Sequence, residues 1–363
     1  RDSSVTGVQT CALPISCVLT RANFQMNKIR APRAEDCHGR GGALYLATTV
    51  LTSAVCLNTH PCVICLQPFF QVRAALAVIT DCTFYENTVQ IVADAQATAV
   101  GGAIGAHVSA NSTNSLLAFE LVRFTDNMAS ATAADTSSFG GALYLKIAAA
   151  PVPVWLVRSL FDRNQLIGAS FMRLVSAGGS AVFVGTGLSI DRVQQMRVRA
   201  CVFRSNYADD SLTNINSVAS FYSFHASACV ATFDQCEFDG NFAGSVGGLF
   251  WLAFSAGLGA KPREDQPARL VVRRSVFHQN AVISGSAAAM FVSSGLMQNT
   301  RPLIYLEVDA CDFLGNQATR GSGALVAALL FEVAIASSNF VENRASSAWL
   351  RTSDTLRSCT RCT

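Results

Sequence analysis

Asp81-Cys82-Thr83-Phe84-Tyr85-Glu86-Asn87, followed at a loop's distance by Gly101-Gly102-Ala103-Ile104, is the stretch on which the fold is read. Its two halves, small residue-x-Phe-x-x-Asn and then Gly-Gly-Ala-apolar, return along nearly the whole chain. The first half occurs at Phe24/Asn27, Phe84/Asn87, Phe124/Asn127, Phe161/Asn164, Phe203/Asn206, Phe238/Asn241, Phe277/Asn280, Phe313/Asn316 and Phe340/Asn343. The second follows at Gly41-Gly42-Ala43, Gly101-Gly102-Ala103, Gly140-Gly141-Ala142, Gly178-Gly179-Ser180-Ala181 and Gly247-Gly248-Leu249, weakens at Gly285-Ser286-Ala287 and Gly321-Ser322-Gly323-Ala324, and is missing after Asn206. Successive phenylalanines are 60, 40, 37, 42, 35, 39, 36 and 27 residues apart, so the unit is near 38 residues with one long step and one short final step. A period of this length belongs to a repeat array, in which each unit buries its apolar face only against its neighbours.

Each half adjoins short runs rich in β-branched and aromatic residues: Leu44-Tyr45-Leu46, Leu143-Tyr144-Leu145 and Ala181-Val182-Phe183-Val184 after the glycines, Leu270-Val271-Val272 and Leu303 to Val308 before the phenylalanine. Bounded by Gly, Asn, Ser and Pro, these read as strands, and no segment keeps a 3.6-residue apolar stripe. Leucine-rich and helical repeats are excluded on period and on the paired glycines inside each unit. Several strands and two turn signals per unit fit one coil of a single-stranded parallel β-helix. The expectation is an all-β solenoid of about nine coils, right-handed on the general rule for parallel crossovers. Stacking puts each motif position above itself at about 4.8 Å. Phenylalanine then forms an inward column. The residue two before it (Ala22, Cys82, Val122, Ser159, Cys201, Cys236, Ser275, Cys311, Ser338) forms a ladder of small side chains whose cysteines are read as buried apolar thiols. Asparagine is expected to pair amides along the axis while accommodating a left-handed turn, and Gly-Gly to supply positive φ at the next corner.

This paired phrase resembles the repeats of the chlamydial polymorphic outer-membrane protein family and, more broadly, the right-handed β-helix, pectin-lyase-like superfamily. The resemblance covers about residues 22–348. It implies a surface-exposed or secreted passenger, often adhesive, hence an extracellular or cell-surface location and partners among cell-surface proteins or polysaccharides. It brings no catalytic residues. An outer-membrane barrel segment and a signal sequence are missing from this sequence, so membrane association is expected only through segments outside it. Similar repeats also occur in large eukaryotic surface proteins, so the source is left open.

Charged residues make up 14% of the 363 and the formal net charge is +3, with no basic run of five. Nucleic-acid binding and steering to anionic membranes therefore find no support. The apolar stretch from Ala243 to Ala260 holds five glycines and reads as a buried pair of strands rather than a membrane span. Residues 5–15, Val5 to Ile15, resemble a translated sequencing adapter, so 1–16 are set aside as a non-native segment. The repeat domain is assigned to 17–348, and 349–363 to an irregular tail of a chain that reads as truncated.

Insertions recur at 52–68, 109–115, 148–153, 185–196, 256–268 and 293–302, all between the strand after Gly-Gly and the strand before Phe. They lie on one side of the solenoid, where recognition is expected. Cys62-x-x-Cys65 and Cys359-x-x-Cys362, with His60, invite a zinc reading, but nearly 300 residues of rod separate the pairs. A disulfide within 52–68 is the alternative if the protein is secreted, and Asn111-Ser112-Thr113 is a glycosylation sequon. No cofactor or metal ligand set is assigned. The column just after phenylalanine points outward and reads Asp162, Arg204, Asp239, His278 in four successive units, with Glu237 and Asp312 beside it. Stacked acids and bases on a β-helix face can act as an acid-base pair on an acidic polysaccharide or hold calcium. The same column also reads as an alternating-charge ladder that keeps a sheet face soluble. Flanking columns carry no aromatic platform, which favours the ladder.

Overall fold

The computed structural model describes residues 16–31, 36–40, 42–47, 69–71, 76–92, 96–108, 116–132, 135–147, 152–168, 177–186, 194–209, 215–223, 229–244, 246–254, 268–283, 287–295, 304–319, 321–328 and 332–345. Among these residues the fold is all-β and every strand pairing is parallel. The second copy of the phrase shows the path of one coil. Leu76–Thr80 lies in a leading sheet, Thr83–Tyr85 in a phenylalanine sheet, Thr88–Val92 in a third, and Ile104–Val108 in a glycine sheet. Among the described residues each of these four sheets contains nine strands. Asp36–Arg40, Gln96–Val100 and Asp135–Phe139 form a further three-stranded sheet ahead of the glycines in the first three coils.

Two backbone bends per coil shape this path. The residue three before phenylalanine has a left-handed φ in all nine copies, for example Asp81 at 52° and Ala200 at 51°. So does the residue two after it, for example Glu86 at 52° and Gly240 at 57°. Left-handed backbone crowds Cβ, most severely for branched and bulky side chains, and no β-branched or aromatic residue occupies either column. The asparagine was expected to take this turn itself; the residue before it does. That frees the asparagine to point inward.

The paired glycines act through two different constraints. Gly101 and Gly140, the first of their pairs, have φ of 65° and 64° and turn the corner as expected. The second glycine is held by close approach instead: a Cβ on Gly102 would sit 1.9 Å from the Gly141 carbonyl oxygen of the next coil. Around Gly179 the corner disappears. Ala177–Thr186, Ile215–Ser223 and Val246–Phe254 are long continuous strands whose register slips between Gly179 and Val182 and between Ser217 and Ala219. The apolar stretch from Ala243 accordingly begins in the short strand Phe242–Ala243 and continues into Val246–Phe254, as a pair of strands. Among the described residues no helix is long and apolar enough to cross a membrane.

The long first step contains an additional strand, Phe69–Gln71, which pairs with Leu44–Ala47 on the side away from the second coil. Several insertions are shorter than expected: Ala177–Thr186, Gln194–Arg199 and Met290–Gly295 extend into them. Residues 1–15, the cysteines at 56, 62, 65, 359 and 362, His60, the sequon at Asn111 and the segment 346–363 lie outside the described residues.

Phenylalanines fill the interior in one continuous stack from Phe24 to Phe340. Adjacent ring centroids are 4.6–5.1 Å apart and the planes lie within 13° of parallel. Beside them runs the asparagine ladder. Asn164 Nδ2 donates to Asn206 Oδ1 at 3.0 Å and to the Phe124 carbonyl at 2.9 Å, while its own Oδ1 accepts from Asn127 N and Nδ2. The pattern recurs from Asn27 to Asn343. Each interior amide thus has both donors and its acceptor engaged, which removes the cost of burying it.

The small-residue column is buried from Cys82 to Cys311 and half-buried at its ends, Ala22 and Ser338, but its cysteines do more than fill space. Each cysteine or serine side chain donates to the carbonyl two residues before it, across the left-handed bend: Cys82 to Thr80 at 3.2 Å, Ser159 to Val157 at 3.1 Å, Cys201 to Arg199 at 3.4 Å and Ser275 to Arg273 at 2.8 Å. Several also accept a backbone N–H from the preceding coil, as Ser275 Oγ does from Cys236 N at 3.1 Å. Thiol and hydroxyl interchange here because each offers one small donor and acceptor.

Burial pushes the Cys201 thiol up to about 12 and the Cys311 thiol up to about 11 from an ordinary 9.0, and raises Cys236 as well. Below pH 9 these thiols are protonated in both folded and unfolded chains. Above it the unfolded chain releases protons that the folded chain retains. Stability is therefore expected to fall as pH rises from 9 toward the folded values, by at most about 1.4 kcal/mol per pH unit for each thiol. Urea midpoints between pH 8 and pH 10.5 measure this, and Cys201→Ser should flatten the slope; equal slopes in the two proteins would refute it.

Candidate functional site

Strands of the phenylalanine sheet are only three residues long, with the ring pointing in and its two neighbours pointing out. Asp162, Arg204, Asp239 and His278 are mutual register partners on four adjacent strands, as their spacing predicts. Their side chains engage one another and the bends. His278 Nδ1 lies 2.8 Å from Asp239 Oδ1. Arg204 Nε is 3.7 Å from Asp239 Oδ2, and its Nη2 is 3.7 Å from Glu237 Oε1. Asp162 is held by Arg163 Nη1 at 2.5 Å. Arg163 sits at the left-handed bend of the same coil and also grips Asp126 of the preceding coil through two contacts of 2.8 Å. Asp312, in the neighbouring column, accepts from Asn339 Nδ2 at 2.7 Å.

Sequence reasoning found the column but missed Arg163 and Asp126, which belong to the bends. The side chain from a bend residue projects beside the strand face and reaches carboxylates in two coils. The Arg163–Asp126 hydrogen bonds hold the guanidinium more firmly protonated than usual. Along the leading sheet and the bend that follows it the same design recurs unpredicted: the bend residues Arg158 and Arg274 pair with Glu120 and Asp234, and the strand residues Arg269 and Arg273 pair with Glu307. Hydrogen bonding from Arg273, with a smaller contribution from Arg269, holds the Glu307 carboxyl below its ordinary range against the opposing effect of burial. Exposed pairs of this kind contribute little stability individually, about 0–1 kcal/mol. As networks they fix which charges face which coil.

Chemically, the column offers a histidine-carboxylate pair and two carboxylates separated by Arg204. Asp162 and Asp239 are two strand spacings apart, about 10 Å along the axis. Among the described residues no group of three His, Cys, Asp or Glu side chains is placed to hold a metal ion. No family model, curated protein or solved structure matches the chain.

Proposed function

We propose that this protein is a non-catalytic β-helix repeat protein of the cell surface or extracellular space, adhesin-like or structural, which presents its inter-sheet segments to a partner or matrix. Its repeat resembles the polymorphic outer-membrane protein type. The observation that carries the reading is the pairing state of the outward column. Asp162 is occupied by Arg163, and Asp239 lies between Arg204 and His278. A glycosidase acid is kept protonated by apolar enclosure, and its partner carboxylate faces it across the scissile bond. Here both carboxylates lie on one sheet face and contact cationic side chains. Variation in the repeat is concentrated instead in the segments that join the glycine sheet to the leading sheet.

The test has two parts. The chain is incubated with polygalacturonate, alginate and chondroitin sulfate, and reducing ends and unsaturated products are measured; no turnover is expected. Turnover abolished by Asp239→Ala would overturn the proposal in favour of a carbohydrate-active enzyme. In parallel, replacing residues 256–267 with a Gly-Ser linker should lower binding to intact cells or matrix while leaving the circular dichroism spectrum unchanged.

A further inference from the structure

On the outward face of the leading sheet, Trp155 in Val154–Val157 is 42% exposed, the indole of a residue type that usually anchors a core or a contact. Its register partners are Ala118 on one side and Arg197 on the other. Ala118 leaves room beside the indole. Arg197 is exposed, and its guanidinium makes no ion pair or side-chain hydrogen bond with any described residue. This sets it apart from Arg199, Arg269 and Arg273 on the same face and from Arg158 and Arg274 at the bend that follows it, each of which has a carboxylate within 4 Å. Between Glu120 and Asp234 the face and its adjoining bend carry three guanidiniums, Arg158 at the bend and Arg197 and Arg199 on the strand, against those two carboxylates. Asp234 is also shared with Arg274. The patch is thus an exposed aromatic side chain beside an uncompensated planar cation.

We infer that Trp155 and Arg197 form a binding site for an anionic polysaccharide, a sugar ring packing on the indole and its carboxylate or sulfate meeting the guanidinium. This deepens the proposed function by naming a partner class, and rests on the protein acting by binding rather than by turnover. The two residues are one strand spacing apart, about 4.8 Å, which suits a sugar ring and an acidic substituent on it or on its neighbour. An acidic peptide fits less well. Extended peptides bind by adding to a sheet edge, and both strands here are interior, with partners on each side. A glycan needs only the ring contact and the acid, and the planar fork of arginine suits both carboxylate and sulfate.

The experiment measures binding of the whole chain to immobilised polygalacturonate and to heparin, at low and at physiological salt, with neutral dextran and poly-glutamate as comparisons. Binding to at least one anionic glycan, weakened by salt, is expected; the two arms distinguish carboxylate from sulfate. Trp155→Ala and Arg197→Gln should each weaken it by about tenfold, while Arg123→Gln, an exposed arginine on the phenylalanine sheet, leaves it unchanged. Both residues are exposed, and unchanged thermal melts would exclude unfolding as the cause. Absence of binding overturns the inference, as do equal binding to poly-glutamate and equal loss in Arg123→Gln. Replacement of 256–267 should leave glycan binding intact even where cell binding is lost, which separates this site from the presenting segments. Turnover of the glycan would refute the non-catalytic reading while leaving the Trp155 and Arg197 effects measurable.

Discussion

Replacing Asn206 with aspartate is expected to destabilise the protein by about 3–5 kcal/mol at neutral pH, the range for an uncompensated buried charge. Asn206 Nδ2 donates to the Phe161 carbonyl at 2.9 Å and to Asn241 Oδ1 at 3.0 Å, and Oδ1 accepts from Asn164 N and Nδ2. Aspartate keeps the acceptor and loses both donors. It leaves the Phe161 carbonyl unpaired and faces Asn241 Oδ1 with a second oxygen. The sign of the pH effect follows. Burial of this carboxyl raises its folded pKa, so the variant is closest to the parent below about pH 4 and falls away from it as pH rises. Urea unfolding at pH 4 and pH 7 measures both. A loss under 1 kcal/mol at pH 7, or a larger deficit at pH 4 than at pH 7, would show that the amide ladder is not what holds this corner.

Phe203→Ala should have a comparable effect by a different route. Its ring lies 4.9 Å from that of Phe161 and 4.6 Å from that of Phe238 and is fully buried, so truncation leaves a cavity between two coils. Such truncations cost about 3–5 kcal/mol. In a solenoid each coil touches only its neighbours, so a weakened interface uncouples the parts on either side. Urea unfolding should then split into two transitions, with hydrogen exchange fastest around residues 194–209. The same change at Phe340 is the internal comparison. Phe340 is 45% exposed and stacks on Phe313 alone among the described rings, so the expected loss is smaller there. Equal effects at the two positions would refute the coil-by-coil account.

The interior was legible because identity is conserved within the chain itself: a phenylalanine and an asparagine cannot repeat nine times at fixed separation unless something stacks them. The bends were hidden for the opposite reason. Arg, Asp, Leu, Ala, Gln, Ser, Met, Glu and Gly all occur at the two left-handed columns, so no single residue marks them; the signal was what never occurs there, a β-branched or aromatic side chain. The Cys/Ser column could be seen to be small, but its hydrogen bonds depend on a bend that had not been recognised. Phe69–Gln71 was concealed inside the 60-residue step, where no copy of the phrase flags a strand. For the candidate column, register followed directly from spacing. The partner choices did not, since a long arginine at a bend reaches carboxylates that alternation alone never places beside it. Trp155 escaped notice because one aromatic in a strand reads as core until the face it occupies is known.

The asparagine ladder also gives the rod a vector. Within the ladder each interior amide passes one N–H proton to the Oδ1 of the later coil and accepts one at its own Oδ1 from the earlier coil, while its other N–H returns to a phenylalanine carbonyl of the earlier coil, so the amide-to-amide bonds all run in one direction. A coil inserted in reverse would meet donor with donor. The interior therefore reads as a polar thread, and the polypeptide can lengthen by whole units in one orientation only.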